Sequence, residues 1–255
     1  MRDLHVHTTF CDGKDSPEEM VVAAIEKGLK VLGFSVHSYT FFDETYCIKK
    51  ENIEVYKKEI SRLKEKYHDK IAVLCGVEQD VYSTESTHGF DYVIGSVHYA
   101  KTPKGYFAVD DNEEAFVKLV KDHFYGDYYA LAENYFSAVA GLSEKTKVDI
   151  VGHFDLVSKF NEGGKYFDEN HPRYVKAYRT AVDKLIPLGI PFEINTGAIS
   201  RGYKTTPYPS LDMLKYICEK GGKVTLSGDT HAKENLCFQF EKWEKAARDI
   251  GLKIV

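Results

Sequence analysis

Apolar residues recur along this chain in two rhythms that take turns. Short bounded runs, such as Val31-Leu32-Gly33-Phe34-Ser35-Val36 and Ile71-Ala72-Val73-Leu74-Cys75-Gly76-Val77, have the pattern of strands buried on both faces. Similar runs occupy residues 91–97, 148–152, 191–195 and 223–227, and the opening residues around Leu4 and Val6 make one more. Between them, apolar positions recur at helical spacing in a charged background. Met20, Ala23, Ala24 and Ile25 follow Ser16-Pro17-Glu18-Glu19, a cap, a first-turn proline and two acids. Ile53, Tyr56, Ile60, Leu63 and Tyr67 mark a second amphipathic helix. Residues 112–142, 172–187, 209–219 and 234–250 read as helical too. Strand and helix alternate from end to end, which predicts seven parallel strands with Leu252-Lys253-Ile254-Val255 as a candidate eighth. No linker, composition break or repeat divides residues 1–255, so a single α/β domain is expected. A closed TIM-like βα barrel accounts for the strand count better than an open doubly wound sheet.

Composition narrows the function classes. With 43% apolar and 29% charged residues, the chain can bury a large core. Its net charge of −5 offers no general attraction to polyanions, so a small substrate is favoured and no nucleic-acid partner is expected. No run of about 18 apolar residues and no basic, apolar leader is present, so neither membrane insertion nor export is expected. Five cysteines, scattered and never in a C-x-x-C pair, argue against a disulfide framework and a thiolate zinc site, and fit the cytoplasm. No glycine-rich phosphate or dinucleotide loop follows any strand.

The chemistry lies in the strand ends. In Asp3-Leu4-His5-Val6-His7-Thr8, alternation sends His5 and His7 to one face. His37, Glu78, His98, His153, and Asp229 with His231 stand at or just past the carboxyl ends of later strands, the face on which barrels build active sites. Six of the ten histidines belong to this set. Imidazole and carboxylate without thiolate suit zinc, manganese or iron, and the set exceeds the needs of one ion. Two or three divalent metals are implied. Glu78 is the natural bridge, and Asp12 adds an oxygen ligand after His7. His68, His88, His123 and His171 are assigned to surface, loop or capping roles, and Trp243 to core packing.

Gly95-Ser96-Val97-His98-Tyr99, Gly152-His153-Phe154-Asp155-Leu156, Glu193-Ile194-Asn195-Thr196-Gly197 and Gly228-Asp229-Thr230-His231, with the opening histidine pair and Glu78, resemble the motifs of the polymerase and histidinol phosphatase (PHP) family. Within it they are most similar to the HisK-type histidinol-phosphate phosphatases. The resemblance implies a distorted (βα)7 barrel with a trinuclear site. One metal is then held by His5, His7, Glu78 and Asp229, a second by Glu78, His98 and His153, and a third by Asp12, His37 and His231. Some relatives carry His in place of Asp12, and many have Ala where Thr230 stands.

Phosphate recognition needs cations outside the metal shell. Arg201, just past the Asn195 strand end, can offer a bidentate fork, and Lys159 is a second candidate. His37 is placed with them at the substrate. The implied reaction is hydrolysis of a phosphate monoester, L-histidinol phosphate by family resemblance, as a step of histidine biosynthesis. A water bridging two cations is acidified and attacks in line, Arg201 and the metals neutralise phosphoryl charge, and Asp229 or His231 protonates the leaving alcohol. Asp43, Glu44 and Asp155 are candidate partners for the substrate's amino group. A PHP-type phosphodiesterase or exonuclease is the rival enzymatic reading, and a catalytically silent metal-binding module the rival from another class.

Overall fold

In the computed structural model, which describes residues 1–255, each buried apolar run pairs with the next one in parallel. The strands are β1 (Arg2–Asp3), β2 (Val31–His37), β3 (Ala72–Asp80), β4 (Tyr92–Ser96), β5 (Tyr99–Thr102), β6 (Gly105–Ala108), β7 (Ile150–Val151), β8 (Phe192–Asn195), β9 (Lys223–Ser227) and β10 (Lys253–Ile254). The main sheet has eight strands in the order β1-β2-β3-β4-β7-β8-β9-β10. The candidate eighth strand is therefore real.

The sheet curls so that its two ends meet. Past β1, Val6 forms a parallel bridge with Thr230 past β9. At the opposite end of these strands β10 lies along β9, and the Val255 amide donates to the Val224 carbonyl at 2.9 Å. Inside the curl, the Tyr92 hydroxyl donates to the carbonyls of Leu4 (2.6 Å) and Phe34 (3.0 Å). Gly76 in β3 leaves room for that ring, since a Cβ there would lie 2.3 Å from it. Leu4, Tyr92, Ile94 and Ile150 form a small apolar plug beneath the strand-end histidines.

Nine helices flank the sheet: α1 (Pro17–Glu26), α2 (Ile53–Lys66), α3 (Glu113–His123), α4 (Tyr128–Ala140), α5 (Leu142–Lys145), α6 (Pro172–Leu185), α7 (Gly197–Ser200), α8 (Leu211–Glu219) and α9 (Phe240–Asp249). Their starts follow local chemistry. Ser16 and Glu19 form a capping box before α1, and the His171 ring accepts from the Arg173 amide ahead of Pro172 in α6, the capping role expected of it. The last helix begins at Phe240 rather than near residue 234, because a 3-10 turn at Lys233–Asn235 and left-handed residues Cys237 and Gln239 delay it. The β5–β6 hairpin, antiparallel from Tyr99 opposite Ala108 to Thr102 opposite Gly105, has no counterpart among the strands expected from the sequence. No helix is long and apolar enough to cross a membrane.

Candidate metal centre

β2 and β3 are in register so that His37 sits opposite Glu78, and both side chains are buried among the strand ends. His5 and His7 follow β1, His98 follows β4, His153 follows β7, and Asp229 and His231 follow β9. All of these side chains converge on one face of the curled sheet. His5 Nε2 lies 3.3 Å and His7 Nε2 3.5 Å from Glu78 Oε2, and the same two nitrogens lie 3.6 and 3.3 Å from Asp229 Oδ1. On the other Glu78 oxygen, His98 Nε2 stands at 3.3 Å and His153 Nε2 at 2.8 Å. Asp12 brings its oxygens to 3.5 Å from His37 Nε2 and 3.2 Å from His231 Nε2. Every residue expected as a metal ligand is thus in this one cluster.

These atoms fit cations better than they fit each other. His5 Nε2, His7 Nε2, His37 Nδ1 and Glu78 Oε2 are all buried and none makes a well-aligned hydrogen bond, although His37 Nδ1 lies 2.7 Å from Glu78 Oε2. Leaving four such atoms unsatisfied is costly, and a divalent cation among them supplies the missing partner. Burial disfavours the charged form of every ring, but Glu78 and the neighbouring carboxylates outweigh it at His5, His37 and His98 and raise all three, the response of imidazoles that face concentrated negative charge. Burial opposes an ionised carboxylate, but His5, His37 and His98 outweigh it and hold Glu78 well below the usual range. Burial, with His37 and His231 adding repulsion, pushes His7 down to about 3, which leaves its ring neutral and ready to ligate.

Two of the rings are also held from behind. His5 Nδ1 lies 2.7 Å from Glu193 Oε1, and His98 Nδ1 lies 3.2 Å from Asp80 Oδ2, which also accepts the His98 amide. The buried Asp3 carboxylate accepts the amides of His5 and Gly228, clamping the first strand end to the last. Glu193, Asp80 and Asp3 carried no role in the sequence reading. The one available signal was an acid inside an otherwise apolar strand-end run, and its partner comes from a strand distant in sequence.

The cluster opens into a cleft of about 680 Å3 whose lining includes Arg201, Lys159, His37, Asp43 and Asp110. Arg201 donates from Nη1 to the Asp229 carbonyl and from Nη2 to Asp229 Oδ2, each at 3.0 Å. Its Nη1 also lies 2.8 Å from His231 Nδ1. Lys159 donates to the Asp110 carbonyl at 2.6 Å and lies over the Tyr203 ring. Of the candidate amine partners, Asp43 lines the cleft, Glu44 accepts from the Tyr39 hydroxyl on the surface, and Asp155 does not line the cleft. The chain turns at Leu156–Ser158 and buries Asp155, whose Oδ2 accepts the Ser210 amide.

The PHP domain family model matches residues 3–197. The chain is 29% identical over 264 residues to a Deinococcus radiodurans protein named "Probable histidinol-phosphatase", covering 99% of this chain and 95% of that one. It is 28% identical over 266 residues to the histidinol-phosphatase of Bacillus subtilis, covering 94% and 97% respectively. In fold it resembles the histidinol phosphate phosphatase of Lactococcus lactis, solved with zinc, L-histidinol and phosphate, at a TM-score of 0.73 and 20% identity over 100% of this chain and 95% of that one. With the ligand cluster, the order of its motifs and this match over most of its length in agreement, the chain belongs to the PHP domain family.

Proposed function

We propose that this protein hydrolyses L-histidinol phosphate to L-histidinol and inorganic phosphate. The observation that carries the proposal is the set of converging, buried imidazole and carboxylate atoms opening beside Arg201 into a cleft large enough for a small phosphate ester. Histidinol-phosphatases similar over nearly the whole chain supply the substrate. We read the curled sheet as a distorted (βα)7 barrel forming one domain over residues 1–255, with β10 as a C-terminal addition. His5, His7, Glu78 and Asp229 would hold one cation, Glu78, His98 and His153 a second, and Asp12, His37 and His231 a third. Zinc, manganese and iron all suit these donors.

When bound, such cations acidify water and neutralise phosphate charge. Arg201 presents its guanidinium beside Asp229 and offers N–H donors to phosphoryl oxygens, with Lys159 and His37 also lining the cleft. Arg201 orients both candidates for protonating the leaving alcohol: it donates to Asp229 Oδ2, and its Nη1 lies 2.8 Å from His231 Nδ1. Asp43 and Asp110, which also line the cleft, offer carboxylates to the substrate's ammonium. Widely scattered free cysteines fit a reduced cytoplasm.

A panel of phosphate esters assayed with metal-loaded protein tests the reading. Histidinol phosphate is expected to exceed monoesters that lack an ammonium group by about tenfold or more in kcat/KM, the worth of one charge-assisted hydrogen bond. Release of mononucleotides from single-stranded DNA with no action on histidinol phosphate would overturn it in favour of the nuclease.

A further inference from the structure

We propose that Glu193 is a positioning residue of the metal centre: it fixes the tautomer and orientation of His5 and ties that ligand to His153. The inference rests on the cluster being a metal site, as proposed above. Glu193 lies in β8, 1% exposed, and is not itself one of the converging ligand atoms. Its Oε1 is 2.7 Å from His5 Nδ1. Its Oε2 accepts the His153 amide at 3.1 Å and the Asn195 side-chain amide at 3.2 Å.

An ionised carboxylate only accepts, so the nitrogen facing Oε1 must carry the proton. On a ring that ligates a metal the lone pair is then on Nε2, the atom that is buried without a hydrogen-bond partner between Glu78 and Asp229. A carboxylate behind a ligating imidazole also raises its donor strength. The second oxygen acts on another ligand through the backbone, because holding the His153 amide fixes where that residue leaves β7. One buried side chain thereby couples a ligand from the first strand to a ligand from the fifth strand of the main sheet. Three donors converge on it, enough to keep a buried negative charge in place.

A glutamine cannot do both jobs. Its single amide oxygen can face either His5 or the two N–H groups: in the first case its NH2 opposes those donors, and in the second it donates to His5 Nδ1 and moves the ring proton to Nε2, the ligating atom. The test compares wild type, Glu193→Gln and Glu193→Asp in three readings: zinc retained per chain against increasing chelator, melting temperature of the metal-free proteins, and activity as free zinc is raised. Asp keeps the buried charge but withdraws it from His5 by one methylene, so it reports even where Gln does not fold. Both variants are expected to bind zinc about 10- to 100-fold more weakly in at least one site, to melt near wild type when metal-free, and to regain activity at high free zinc. Unchanged zinc affinity, with activity lost and not regained by metal, would overturn the assignment. Wild type that retains no metal would instead sink the metal-site reading itself.

Discussion

Asp229 serves three contacts from a backbone held at φ 45°, in the left-handed region. Oδ1 faces His5 and His7, Oδ2 accepts from Arg201, and the carbonyl accepts from Arg201 as well. Asp and Asn tolerate this conformation better than other non-glycine residues, so Asp229→Asn removes the charge while keeping the turn. Burial opposes its ionisation, but Arg201 and His5 hold the Asp229 carboxyl well below the usual range, so it is charged at neutral pH and its charge is what Asn deletes. Asp229→Asn is expected to lower kcat/KM by more than about 100-fold, beyond the usual loss for a residue that only supports a ligand. Arg201→Lys keeps a cation but loses the planar fork. With one charge-assisted hydrogen bond worth about 1.5–3 kcal/mol, kcat/KM should fall roughly 10- to 100-fold, chiefly through KM. Steady-state kinetics on both variants check this. A loss of kcat alone in Arg201→Lys would place Arg201 outside ground-state phosphate binding.

Among the elements, the loop after β1 carries the tightest demand. Gly13 packs on the backbone of the ligand His7 and its neighbour: an added Cβ would lie 2.4 Å from the Thr8 nitrogen and 2.6 Å from the His7 carbonyl oxygen. Gly13→Ala must therefore push the loop outward, carrying Asp12 away from His37 and His231. The expected outcome is loss of about one metal per chain and reduced activity, with the fold intact by circular dichroism; full metal content would show that Asp12 is not a ligand. The strand ends were legible because each buried apolar run stops at a histidine or acid, and strands β2, β3, β4, β8 and β9 lie where the runs predicted. The convergence of histidines and carboxylates therefore followed from local pattern. Glu193 did not, because its function depends on β8 curling round to face His5, 188 residues away in sequence. Asp155 misled for the opposite reason: it follows a ligand in sequence, but the 3-10 turn after it points the carboxyl into the interior. The β5–β6 hairpin was hidden by the shortness of its two four-residue strands, although it brings Tyr99 to the cleft.

At the scale of the molecule, the Val6–Thr230 bridge and the Asp3 clamp bring the first and last of the ligand-bearing strands together. Cations held by residues after β1, β4, β7 and β9 and by residues in β2 and β3 would tie that whole face into one unit. Binding that favours the folded state at 100 times its Kd adds about 2.7 kcal/mol per site, and a chain of this size gains roughly 2–4 °C per kcal/mol. Stripping metal should then lower the melting temperature by about 5–10 °C or more, read by calorimetry with and without chelator. That closure was legible only in part: strand number follows from sequence, whereas the meeting of the sheet's ends depends on the twist summed over all eight strands. The most direct measurement of the central claim is phosphate release from L-histidinol phosphate by chelator-stripped protein as zinc, manganese or iron is titrated back. Negligible release before metal, rising to a plateau at two or three equivalents per chain, is the predicted result. Full turnover by the stripped protein, or no release from the loaded one, would contradict it.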